Sequence, residues 1–146
     1  MPKIFSEKER LEIIETLQKG AMHELSRVGV RKTTVDELCR ISHLAKGSFY
    51  LFYESKEELF LDCLKTFADS LEEMYLGMLQ NLDENHIVSS LTTVFVTIAK
   101  RFRDEGMFRF LDEENIALIK RKVPEIRLKD LTDTLRNVFH TLFSYF

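Results

Sequence analysis

The chain has 146 residues, with 21 Lys+Arg against 24 Asp+Glu and a formal charge of −3. Apolar residues make up 45% and charged residues 31%, a globular composition that excludes disordered, collagen-like and low-complexity classes. Two cysteines exclude a disulfide scaffold, and no apolar run nears the ~18 residues of a membrane span. Cys39 and Cys63 read as small buried hydrophobes. Reduced thiols and a start without a signal-peptide apolar core give the expectation of a cytoplasmic protein. With only five Gly and two Pro, turns are few and the elements should be long helices, so the expected fold class is all-α.

In chain order, Ser6 and Glu9 form an S-x-x-E capping box that opens a first helix over 7–28. Leu11, Ile14, Leu17, Ala21, Leu25 and Val28 recur every three or four residues as one apolar stripe. Gly29 can end that helix in a left-handed conformation. Gly20 lies inside it, at a cost of about 1 kcal/mol relative to alanine. Thr34 and Glu37 repeat the box ahead of a short helix that turns Val35, Leu38, Cys39 and Ile41 inward. Ser42 and His43 form a tight connection to a third helix over 45–52, anchored by Leu44, Phe49 and Phe52. Ser55 and Glu58 make a third box, opening a long helix over 56–81. A fifth helix spans 86–103, and Gly106 breaks the pattern. Shorter helices cover 107–111 and 113–121, and Pro124 starts a last helix that runs to the end. Its Leu131, Leu135, Phe139, Leu142, Phe143 and Phe146 form an apolar face of the kind that marks an interface.

Two short helices joined by about four residues, with a longer helix before them, form a helix-turn-helix, whose second helix can enter a major groove. The surrounding charge agrees. From Arg27 to Lys56, six basic residues oppose Asp36, Glu37 and Glu54 for a net +3, while the rest of the chain sums to −6. Phosphates favour such a basic island. The enzyme alternative has little to stand on. His23, His43, His86 and His140 are scattered without H-x-x-x-H or H-E-x-x-H spacing, and no C-x-x-C, P-loop or G-x-S-x-G string occurs, so no cofactor or metal is expected.

The strings Gly29-Val30-Arg31-Lys32-Thr33-Thr34-Val35-Asp36-Glu37-Leu38, Lys46-Gly47-Ser48-Phe49-Tyr50 and Tyr53-Glu54-Ser55-Lys56-Glu57-Glu58-Leu59 carry a literal pattern. They closely resemble the DNA-binding domain of the tetracycline-repressor (TetR) family of bacterial regulators, without a gap, over about residues 8 to 60. The resemblance implies an N-terminal three-helix helix-turn-helix domain over 1–55 and a helical regulatory domain over 56–146, for ligand binding and dimerisation. It implies DNA contacts from Thr33, Thr34, Lys46, Gly47, Ser48, Phe49, Tyr50, Tyr53 and Lys56. Two departures bear on contact detail. Phe52 stands where the family usually has a tyrosine that donates to phosphate, and His43 where a turn glycine is common.

The resemblance further implies a repressor that binds a palindromic operator in double-stranded DNA as a homodimer, released by a small-molecule effector. Phe67, Met74, Tyr75, Met78, Phe95, Phe102, Met107, Phe108 and Phe110 are the candidate pocket residues, and their Met and Phe content suits an apolar or aromatic inducer. The Leu131–Phe146 face is the expected dimer seam, although the chain is short for the family. The rival reading is an all-helical interaction or lipid/small-molecule carrier module without DNA binding.

Overall fold

The computed structural model describes residues 4–144, and of Leu142 the backbone only. Phe146 lies outside the described residues. All regular structure among them is helical: α1 Glu7–Arg27, α2 Gly29–Lys32, α3 Val35–Ile41, α4 Lys46–Phe49, α5 Lys56–Gln80, α6 Ile87–Asp104, α7 Glu113–Lys122 and α8 Glu125–Phe143. Short 3-10 turns at Glu84–His86 and Met107–Leu111 join the later helices.

Capping chemistry sets the helix starts. At α1 both halves of the box form: Ser6 Oγ accepts from Glu9 N at 3.2 Å, and Glu9 Oε2 accepts from Ser6 N at 2.7 Å. The other two boxes are half-made. Thr34 Oγ1 accepts from Glu37 N at 3.1 Å and Ser55 Oγ from Glu58 N at 3.2 Å. The Glu37 carboxylate instead binds Arg40, and that of Glu58 accepts from Glu54 N.

The first helix ends as its glycine suggests, with Gly29 at φ +81, but the chain then turns straight into α2, which periodicity alone does not foresee. The α4 helix is shorter than the expected 45–52. Beyond Phe49 the backbone closes into tight turns, with Phe52 N donating to Phe49 O at 2.9 Å and Tyr53 N to Phe49 O at 3.1 Å. Gly20 has a packing reason. A Cβ there would lie 3.3 Å from both Ile41 Cγ2 and Ser42 Oγ, so its absence lets α1 lie close against the end of α3.

The spine is α5, packed on α1 near its start and on α6, α7 and α8 further along. One core runs from Leu17, Leu25 and Leu38 through Phe49, Leu59 and Phe60 to Phe110 and Ile119. Burying each such side chain contributes about 1.5–3 kcal/mol. A smaller cluster of Tyr75, Leu79, Val94 and Val138 holds the far end of α5 to α6 and α8.

Candidate DNA-binding interface

The α3–turn–α4 unit is set by local hydrogen bonds. Ser42 N donates to Leu38 O at the end of α3, and Leu44 N donates back to Cys39 O at 2.9 Å. That closure requires a left-handed residue between them, and His43 supplies it at φ +52. The backbone of Ala45 is extended, and its carbonyl receives the N–H groups of Ser48 and Phe49. Fully buried Phe49 then fixes the roll of α4, with Tyr50 and Tyr53 packed around its ring at centroid distances of 5.3 and 6.0 Å.

This roll sorts the nine residues expected at DNA. Thr34, Lys46, Gly47 and Tyr50 are exposed, Tyr50 at 51%, and Ser48 is half-buried beside them. Four others are occupied within the protein. The Phe49 ring is in the core and has no face toward a groove. Thr33 is fully buried, its Oγ1 donating to Gly29 O at 2.7 Å. Tyr53 is buried too, its hydroxyl donating to Asp62 Oδ2 at 2.5 Å, and burial pushes its phenol well above the ordinary range. Gln18 Nε2 donates to the same Asp62 oxygen at 3.1 Å, joining α1, the α4–α5 connection and α5. Lys56 is half-buried, and its Nζ donates to the carbonyls of Val30, Arg31 and Thr33 at 2.8, 3.1 and 2.6 Å. It caps α2, where a cation completes orphan carbonyls. Desolvation lowers the Lys56 ammonium below the ordinary lysine value. Phe52 packs between Phe5, 5.6 Å away, and the Arg10 guanidinium, 4.8 Å from its ring centroid.

The basic island is largely self-paired. Arg27 forms two bonds to the buried Glu24 carboxylate at 2.9 and 2.8 Å, and Arg40 binds Glu37 at 2.9 Å. Arg31 meets Glu114 of α7 at 2.8 Å, and Lys46 meets Asp36 at 3.0 Å. Among the described residues Lys32 has no ion pair.

A polar joint ties this unit to the later helices. Asn115 of α7 is buried, its Oδ1 accepting from Val30 N at 3.2 Å and its Nδ2 donating to Arg109 O at 2.8 Å. Sequence reasoning missed it, although a signal was available. Asn115 stands one turn before Ile119 and two before Val123, both buried, so it is an amide on an apolar stripe.

The nine candidate pocket residues do not gather in one place. Phe67, Met107 and Phe110 are buried in the main core, with Met74 and Phe102 packed against it. Tyr75 and Met78 belong to the second cluster. Phe95 and Phe108 are largely exposed. Of the nine, only Phe110 lines an apolar cleft of about 220 Å³ between α5, α7 and α8, together with Leu61, Leu64, Ile119, Leu131 and Leu135. Phe67 and Met107 line another, of about 360 Å³, against α1. Of the expected dimer seam, Leu131 and Leu135 thus turn inward, and Phe139 and Phe143 are exposed.

A four-residue helix held by one buried ring, presenting a lysine, a glycine and a tyrosine outward from a left-handed turn, defines a helix-turn-helix DNA-binding module. Residues 17–63 match the family model described as bacterial regulatory proteins, tetR family. Two relatives in Bacillus subtilis (strain 168) are similar. The uncharacterized HTH-type transcriptional regulator YdgC is 28% identical over 98 residues, 67% of this chain and 47% of that protein. The uncharacterized HTH-type transcriptional regulator YuxN is 27% identical over 142 residues, 91% of this chain and 46% of that protein. The chain spans just under half the length of these relatives. No solved structure matches. The matched model is of bacterial regulatory proteins, and both relatives are named as HTH-type transcriptional regulators. Among the described residues, no helix is long and apolar enough to cross a membrane.

Proposed function

We propose that the chain is a cytoplasmic transcriptional repressor that binds a palindromic operator as a homodimer and is released by a small apolar or aromatic ligand. The observation that carries this reading is the outward display of Thr34, Lys46, Gly47, Ser48 and Tyr50 around the start of α4. Beyond its chain neighbours and its own helix backbone, nothing among the described residues lies within 4 Å of a Cβ at Gly47, so the fold itself does not require a glycine there. A duplex approaching the backbone closely does. One four-residue helix reads few base pairs, so two copies about a two-fold axis give useful specificity. Exposed Phe139 and Phe143 on α8 supply apolar surface for that seam.

The division into a reading domain over 1–55 and a regulatory domain over 56–146 follows the start of α5. The cleft between α5, α7 and α8 is the proposed inducer site. Its walls are nearly all aliphatic, with Lys120 and Thr132 at the edge to orient a polar end. A ligand that spreads α7 from α5 pulls on α2 through Asn115 and so moves the reading unit. The test is selection of genomic fragments by the purified protein. Recovery of an inverted repeat, with binding weakened by an apolar ligand that raises the melting temperature, supports the reading. Absence of any enriched sequence contradicts it and favours a carrier module.

A further inference from the structure

Resting on the DNA-binding reading, we infer that Asp36 is a specificity-determining residue: it holds Lys46 back from phosphates of non-cognate duplex and yields it only at a fitting site. Asp36 lies in the first turn of α3 and Lys46 opens α4, so the pair bridges the two helices of the reading unit. The Nζ–Oδ1 distance is 3.0 Å, with the side chains 56% and 72% exposed. The carboxylate beside it raises the Lys46 ammonium above the ordinary lysine value.

Non-specific affinity for duplex DNA is almost entirely electrostatic and scales with the number of cations free to displace counterions. In this unit five of the six cations already have a partner, and among the described residues Lys32 has none. Arg27, Arg31 and Arg40 are held by Glu24, Glu114 and Glu37, and Lys56 is spent on backbone carbonyls. Asp36 is more exposed than any of these three acids, at 72% against 57% for Glu114, and its lysine stands at the start of the reading helix. Exposed pairs are weak and exchange readily. A phosphate placed beside Lys46 by correct docking can therefore take the ammonium from Asp36. A phosphate met at random must first overcome the carboxylate's repulsion.

The test measures anisotropy of a labelled duplex of arbitrary sequence, about 30 base pairs long, between about 50 and 200 mM salt. The full chain is compared with Asp36→Asn, Lys46→Gln and the double variant. Asp36→Asn should raise low-salt affinity three- to tenfold and steepen the log–log salt slope by about 0.9, one phosphate's worth. In the Lys46→Gln background the steepening should vanish. Equal slopes for wild type and Asp36→Asn overturn the inference, and so does steepening that persists without Lys46. The duplex recovered by genomic selection separates the two levels. If the wild type binds neither that duplex nor the arbitrary one, the DNA-binding reading itself fails. If it binds the selected duplex while Asp36→Asn leaves arbitrary binding unaltered, only the role of Asp36 fails.

Discussion

Asn115 of α7 holds the backbone N–H of Val30 in α2 at 3.2 Å, across 85 positions of sequence. The same amide donates to Arg109 O, so one side chain pins the reading unit to the helices that flank the apolar cleft. Removing it strands a buried backbone donor. Asn115→Ala should therefore lose about 1–3 kcal/mol of stability, measured by urea denaturation. Ligand-dependent release of DNA should weaken in the same variant while unliganded binding persists. Full retention of both stability and response would show the joint to be incidental.

Lys56 offers a second separation of structure from contact. Its ammonium completes three carbonyls at the end of α2. Lys56→Met should cost about 1–3 kcal/mol in denaturation, because those carbonyls lose a charged donor. The salt slope of duplex binding by the folded variant should match the wild type. A slope shallower by about one would return Lys56 to the phosphate contacts.

His43 holds the left-handed turn with a β-carbon in place. A non-glycine residue in that region is strained by about 1–2 kcal/mol, and glycine gives part of the relief back through a more disordered unfolded chain. His43→Gly should stabilise the protein by about 0.5–1 kcal/mol, raising the melting temperature by a few degrees. A lower melting temperature would mean that the imidazole makes a compensating contact.

How far the sequence reveals the molecule depends on whether a signal is local. The caps at Ser6, Thr34 and Ser55, the turn at Ser42-His43 and the long α5 are all written within a few residues of where they act. Lys56 is different. Its carbonyl partners lie 26, 25 and 23 positions away, and an exposed contact cannot be told from a buried cap until α2 is placed against α5. Phe49 and Tyr53 belong to the matched string because they build the reading helix, with their rings in the core. The pocket candidates share a composition but not a place: Phe67 and Tyr75 lie about two turns apart along α5 and end in separate clusters, and Met107, Phe108 and Phe110 stand on the later 3-10 turn. Asp36 reads as one more surface acid until its distance to Lys46 is known.

Glu24 gives a pH dependence with a definite sign. It is 1% exposed, and the Arg27 guanidinium holds its carboxyl below the ordinary value of 4.5. A carboxylate favoured in the folded state contributes stability above that ordinary value, and the contribution is lost as pH falls through the lowered one. Unfolding should thus become easier below about pH 4.5. Glu24→Gln should be less stable at pH 7 and show a flatter acid limb. An acid limb identical to the wild type would assign the loss to other carboxylates.

The most direct test is a salt titration of operator binding by the wild type and Lys46→Ala, using the inverted repeat recovered from genomic fragments. Wild-type binding should fall steeply with salt, and Lys46→Ala should bind more weakly with a log–log slope shallower by about 0.9. Identical affinities and slopes for the two proteins would contradict the placement of α4 at the DNA.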